Sequence, residues 1–94
     1  MSWKIDAERG VLLGARQIAS PNCDARPDGA LIRLLVIHGI SLPPGQFGGD
    51  EIERLFTNRL DPDAQPSFQD IVQLRVSSHL LICRTGEVVQ FVPF

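Results

Sequence analysis

The sequence predicts one α/β domain, a mixed central β-sheet flanked by helices, on three observations. Residues 31–40, LIRLLVIHGI, are apolar on both alternation faces, as a strand covered on both sides would read. Residues 50–59 carry Ile52, Leu55 and Phe56 at helical spacing, with Leu60 extending the stripe. From Arg75 the period changes to two, and a turn at 84–87 returns the chain as a second strand over 88–92. Ninety-four residues with a net charge of −2 and no run of eighteen apolar residues allow one small domain and argue against a transmembrane helix.

In chain order, residues 11–18 read as a largely apolar, small stretch, interrupted by Arg16 and Gln17. Residues 20–29 hold Ser20, Pro21, Asn22, Pro27, Asp28 and Gly29, a density of turn formers that predicts a surface loop. Arg33 stands near the entry of the 31–40 strand, and His38 and Gly39 near its exit. Residues 41–49, SLPPGQFGG, carry two prolines and three glycines in nine positions, so the chain leaves the sheet as an irregular loop. Asp50 is placed to cap a helix whose first turn holds Glu51 and Glu53, where the helix dipole favours anions. Asp61, Pro62 and Asp63 break that helix, and Phe68, Ile71 and Val72 are spaced for one or two helical turns over 67–74. A strand over 75–82 has Arg75, Ser77, His79 and Leu81 on one face, and Gly86 supplies the positive φ of the following turn. The last residues, Phe91, Val92, Pro93 and Phe94, read either as a strand tucked into a core or as an uncovered apolar end beyond which something is missing.

Charge names no partner. Nine basic and eleven acidic residues form neither a polybasic run nor an acidic tail, which leaves no footprint for nucleic acid or an anionic membrane. The first residues lack a signal-peptide pattern, and Cys23 and Cys83 lie sixty positions apart outside any Cys-x-x-Cys pair, so a cytoplasmic protein with reduced, structural thiols is expected.

The residues able to carry chemistry are few. His38 lies at the carboxyl end of the predicted strand, where α/β sheets place ligands; it reads as a metal ligand, a base or a satisfied core imidazole. His79 reads as a second ligand, a proton donor or a hydrogen-bonded structural residue. A catalytic zinc needs three protein ligands and an open position, and no third histidine follows. Arg75 offers a forked donor set for a carboxylate, or an ordinary ion pair. Ser41 has no base near it in sequence, and Gly45, Gly48 and Gly49 form no phosphate-cradling motif.

Residues 36–49, VIHGISLPPGQFGG, resemble the zinc N-acetylmuramoyl-L-alanine amidase family, which includes the phage-lysozyme-type amidases and the peptidoglycan recognition proteins, and within it the branch that recycles 1,6-anhydro-muropeptides. The early GAR, SPN and RPD stretches, LFTNRLDP, and RVSSHLLICRTGEVVQFVPF (75–94) match in the same order and at similar spacing. The resemblance implies that residues 1–94 are the N-terminal half of an amidase_2-type domain. It makes His38 the first Zn²⁺ ligand, with the second histidine, the aspartate ligand, the general-base glutamate and the oxyanion-stabilising lysine expected downstream of Phe94. It also makes Arg75 a substrate-binding arginine for a muropeptide carboxylate. Gly39 falls at a substrate-binding position where this branch usually has Asn, and His79 matches a recurrent histidine that is not a ligand. Ser78 agrees with the small residue of this branch rather than the tyrosine of the phage type. In the complete family site zinc polarises the lactyl amide and activates water, and a carboxylate passes the proton to the leaving L-alanine amine.

No catalytic residue is thus expected within these 94 residues, and the chain alone is expected to be inactive. Two other classes fit the sequence: a muropeptide-binding module without hydrolysis, and an interaction protein that self-associates through an exposed sheet edge.

Overall fold

The computed structural model describes residues 3–43, 45 and 48–94; the remainder of the predicted 41–49 loop (Pro44, Gln46 and Phe47) lies outside the described residues. The first element is a hairpin, β1 (Lys4–Asp6) antiparallel to β2 (Val11–Leu13), with Ile5 opposite Leu12. Asp6 Oδ1 accepts the N–H groups of Glu8 and Arg9 at 3.1 and 3.2 Å, and Gly10 closes the turn at φ 66°. An aspartate followed four residues later by glycine is the sequence signal for this hairpin, which the apolar pattern alone does not register.

Three further strands form a mixed sheet in the order β3 (Arg16–Gln17), β5 (Val88–Gln90), β4 (Leu80–Ile82). β3 runs parallel to β5 and β4 antiparallel to it. The β4–β5 turn is the predicted one, with Gly86 at φ 91° and the Cys83 and Glu87 backbones hydrogen-bonded at 2.8 Å. β4 begins only at Leu80, so residues 75–79, predicted as part of that strand, are irregular. Without a partner strand alongside them, their period-two pattern produces no ladder.

The principal correction concerns residues 31–40. They are in no strand and make no backbone hydrogen bond among the described residues, and Leu31, Ile32, Leu34, Leu35, Val36 and Ile37 are all exposed. An inner strand needs a hydrogen-bonded neighbour on each edge and an apolar layer on each face. The two sheets present supply neither, and the sheet lacks its predicted central strand.

The predicted helix appears as α1 (Glu51–Phe56), shorter than residues 50–59. Thr57 Oγ1 donates to Glu53 O at 2.7 Å and Asn58 takes φ 62°, a left-handed conformation that asparagine tolerates and that ends the helix. Asp50 makes no side-chain cap, contrary to expectation; its carboxylate accepts Arg54 Nε at 3.0 Å, and its carbonyl accepts the Arg54 N–H. The second helical segment is a 3-10 turn, Pro66–Asp70.

The core lies where α1 and this turn meet the end of β5. Leu42, Leu55, Phe56, Leu60, Phe68, Val89 and Phe91 are buried there, and the Phe56 and Phe91 rings meet edge to face at 5.1 Å. Arg16 clasps the same junction from outside, pairing with Glu53 of α1 and, at 3.0 Å, with Glu87 of the turn. The two carboxylates hold the Arg16 guanidinium well above its usual range. In water such pairs contribute little stability each.

The C-terminal residues pack partly against the chain itself, with Val92 and Phe94 half-buried and Pro93 exposed. Phe91 is buried, the Phe94 N–H donates to Gly10 O at 2.9 Å, and the Phe94 ring stacks on His79 at 6.0 Å. The most continuous run of exposed apolar side chains among the described residues is at 31–37.

Candidate functional site

His38, Gly39, Ile40 and Ser41 carry the chain from the unpaired segment into the loop that precedes α1. His38 and Gly39 are exposed, while Ile40 turns inward and packs against the core with Leu42. Packing against the core begins at Ile40, so the imidazole sits two residues outside it. Ser41 Oγ accepts the Gly45 N–H at 2.9 Å, which gives this hydroxyl a turn-forming role.

A cleft of about 320 Å³ follows this stretch, lined by Leu42, Pro43, Gly48, Gly49, Glu51 and Phe68 among others. Glu51 Oε2 is buried there without a hydrogen-bond partner among the described residues. A second cleft of about 360 Å³ lies between the 22–27 loop and residues 77–79, with Asn22, Asp24, Arg26 and His79 on its wall. Neither cleft is lined by His38, Gly39 or Arg75.

Arg75 is exposed, and Nη1 donates to the Leu74 carbonyl at 3.3 Å, a weak local bond that leaves most of the guanidinium fork open. No hydrogen bond or ion pair joins it to His38 or His79 among the described residues. His79 contributes its carbonyl to the Phe91 N–H at 2.9 Å and its ring to the Phe94 stack. The first is a backbone contact and the second a ring stack, and no hydrogen bond of the imidazole is among those of the described residues.

Among the described residues no three His, Cys, Asp or Glu side chains gather as metal donors. A zinc centre with three protein ligands therefore does not fit the residues of this chain by themselves. Cys23 and Cys83 are free thiols, and burial, followed by the Glu87 charge, pushes the Cys83 thiol up, away from nucleophilic reactivity. No helix is long and apolar enough to cross a membrane among the described residues.

Spacing did not mark Ser20 and Asn22 as positioning residues. Ser20 Oγ donates to the Phe56 carbonyl at the end of α1, and Asn22 Nδ2 lies 3.3 Å from the same carbonyl, 2.8 Å from Asn58 Oδ1 and 3.0 Å from the Val76 carbonyl. The SPN stretch thus fastens the irregular 75–79 segment, and with it Arg75, to the helix end. A polar pair inside a Pro-rich loop was the available signal, but its partners lie more than thirty residues away.

A Cβ added at Gly39 meets nothing within 4 Å. Gly39→Asn is accordingly expected to leave stability within about 0.5 kcal/mol of the parent in a urea melt. A loss above about 1 kcal/mol would show that the position is crowded.

No family model matches the chain. Its similarity is to N-acetylmuramyl-L-alanine amidases that act on 1,6-anhydro substrates. The relatives are AmpD proteins: 1,6-anhydro-N-acetylmuramyl-L-alanine amidase AmpD of Escherichia coli is 58% identical over 87 residues, which are 93% of this chain and 48% of that protein. AmpD of Haemophilus influenzae is 52% identical over 89 residues, again 48% of its length. The crystal structure of a selenomethionine derivative of AmpD superimposes with a TM-score of 0.90 at 54% identity, covering 97% of this chain and 50% of that one. The solution structure of Citrobacter freundii AmpD gives 0.55 at 53% identity, over 97% and 48%. The chain thus spans about half the length of the relatives it matches.

Proposed function

We propose that this chain is one half of a zinc-dependent 1,6-anhydro-N-acetylmuramyl-L-alanine amidase domain that works in the cytoplasm on muropeptides released during peptidoglycan recycling. The observation that carries this reading is the 58% identity to the Escherichia coli enzyme over 87 residues, together with a backbone that follows an AmpD crystal structure at a TM-score of 0.90. In this reading His38 is one imidazole donor to Zn²⁺. The other donors and the acid–base residues come from outside these residues.

The chain's own contribution is substrate placement. Arg75, with its fork open to solvent, takes a muropeptide carboxylate bidentately. The SPN clasp sets where that fork can reach. Gly39 leaves space beside His38 where the substrate backbone can approach closely, a role a glycine fills at no steric cost.

The test is release of the peptide amine from 1,6-anhydro-muropeptide by the purified 94-residue chain with added zinc. No turnover is expected, because one imidazole cannot assemble the centre. Measurable turnover abolished by His38→Ala would overturn the half-domain reading. In a continuous polypeptide that restores the remaining half, Arg75→Lys is expected to raise KM more than it lowers kcat, since Lys keeps the charge but loses the bidentate geometry.

A further inference from the structure

Asn22 bonds well beyond its own loop. Its backbone N–H donates to Ser20 Oγ at 3.1 Å, which closes the local turn. The side-chain amide reaches elsewhere: Nδ2 donates to Asn58 Oδ1 at 2.8 Å and to the Val76 carbonyl at 3.0 Å, with the Phe56 carbonyl at 3.3 Å. Asn58 Nδ2 returns a bond to Asn22 Oδ1 at 3.2 Å. A carboxamide has two N–H donors, and the two shorter bonds use both.

The partners of this amide belong to two different parts of the fold. Phe56 and Asn58 end α1, and Phe56 is buried in the cluster that holds Leu42 and against which Ile40 packs. This end of the amide is therefore fixed relative to the residues from which the His38 stretch emerges. Asn58 is held in place by its own left-handed turn, with φ 62° and its N–H on the Leu55 carbonyl at 3.2 Å. Val76, by contrast, lies in the irregular 75–79 segment. On the other side of Arg75, the Leu74 N–H donates to the Ile71 carbonyl at 2.9 Å, at the end of the 3-10 turn. Arg75 is thus held at both flanks, by the turn at Leu74 and by Asn22 at Val76. A forked guanidinium that takes a carboxylate in two parallel bonds tolerates little misplacement of the backbone that carries it.

We propose that Asn22 is a positioning residue: acting through the Val76 carbonyl, its amide sets the reach of the Arg75 fork from the core that anchors the His38 stretch, and so tunes affinity for the muropeptide carboxylate. The proposal rests on the amidase reading above, in which Arg75 takes that carboxylate. Asn22 acts through the backbone alone and needs no contact with substrate. The residue type matters because this amide both gives and accepts. Aspartate at the same size would set acceptor oxygens against the Val76 and Phe56 carbonyls, and alanine would leave the Val76 carbonyl and the Asn58 amide without this partner.

The experiment uses a continuous polypeptide in which this chain is joined to the part of Escherichia coli AmpD that lies outside the matched 87 residues, with 1,6-anhydro-muropeptide as substrate. Asn22→Ala is expected to raise KM about three- to tenfold, the range that one lost hydrogen bond spans, with kcat within about twofold of the parent. Asn22→Asp, which keeps the volume, is expected to raise KM at least as much and serves as the probe if the alanine variant does not fold. Both changes are repeated in an Arg75→Ala background, where they are expected to move KM less than about twofold, because a residue that acts through Arg75 has nothing left to position. A KM unchanged by either Asn22 variant overturns the proposal. So does an equal effect with and without Arg75, which is what a purely structural role produces. In both of those results the parent polypeptide still turns over, and the amidase reading stands. A parent polypeptide that releases no amine overturns the amidase reading, and the proposal falls with it.

Discussion

Phe68→Ala is expected to cost about 3–5 kcal/mol, seen as a large fall in the urea midpoint at unchanged slope. Phe68 is 1% exposed, at the centre of the 3-10 turn. The core of described residues around it holds only six other buried apolar side chains: Leu42, Leu55, Phe56, Leu60, Val89 and Phe91. A chain of this length is stable by about 5–14 kcal/mol in total, so the loss is about a fifth or more of what holds the molecule together. The ring has a second consequence, because it lines the cleft that follows His38 and Gly39. Removing it unseats Leu42 and Ile40, the residues from which the His38 stretch is anchored. Phe68→Leu, which keeps most of the volume, is expected to lose about 1.5 kcal/mol or less. If alanine and leucine cost the same, or alanine costs under about 1 kcal/mol, the turn does not bear on the core as described.

Gln90→Leu is expected to lose about 2–4 kcal/mol although it replaces a polar residue by an apolar one of similar size. Gln90 is 2% exposed, and its amide is a hub. Oε1 accepts the Leu12 N–H at 2.7 Å and Gln17 Nε2 at 3.3 Å, while Nε2 donates to the Gly10 carbonyl at 2.9 Å and the Val92 carbonyl at 3.1 Å. These bonds join the β1–β2 hairpin to the three-stranded sheet. Leucine leaves the Leu12 N–H and the Val92 carbonyl unpartnered, and each orphaned group costs about 1–3 kcal/mol. Hydrogen exchange should locate the damage, with the amides of Leu12 and Phe94 opening faster than those of α1. Gly10 shows how close the hairpin approaches: a Cβ there would lie 2.9 Å from the Phe94 nitrogen. Uniform acceleration across all elements would mean that the hub holds the whole fold rather than this junction.

Local chemistry was readable wherever the partners lie close in sequence. The β4–β5 hairpin follows from Gly86 and the alternation around it, and α1 from the Ile52, Leu55, Phe56 stripe. One or two helical turns were expected over 67–74, and a 3-10 turn over Pro66–Asp70 is what forms. Two local expectations failed for a local reason. Asp50 gave its carboxylate to Arg54 instead of a cap, and Asn58 ended the helix early by taking a left-handed conformation. The candidate site was legible in residue type but not in arrangement. His38, Gly39 and Arg75 were singled out, yet they share neither a cleft nor a hydrogen bond among the described residues. The residues that position this region, Ser20 and Asn22, act on Phe56 and Val76, contacts that no spacing rule reports.

The sequence by itself determined composition, punctuation and the short-range elements, and its motifs carried the likeness to the muropeptide amidases. Tertiary structure alone decided the fate of residues 31–40. Apolar alternation states how much surface a segment must bury, whereas a strand exists only where a neighbouring backbone accepts its hydrogen bonds and a layer covers its faces. At the C-terminal phenylalanines the tertiary structure supplied partners: Phe91 is buried, the Phe94 N–H donates to Gly10 O and the Phe94 ring stacks on His79.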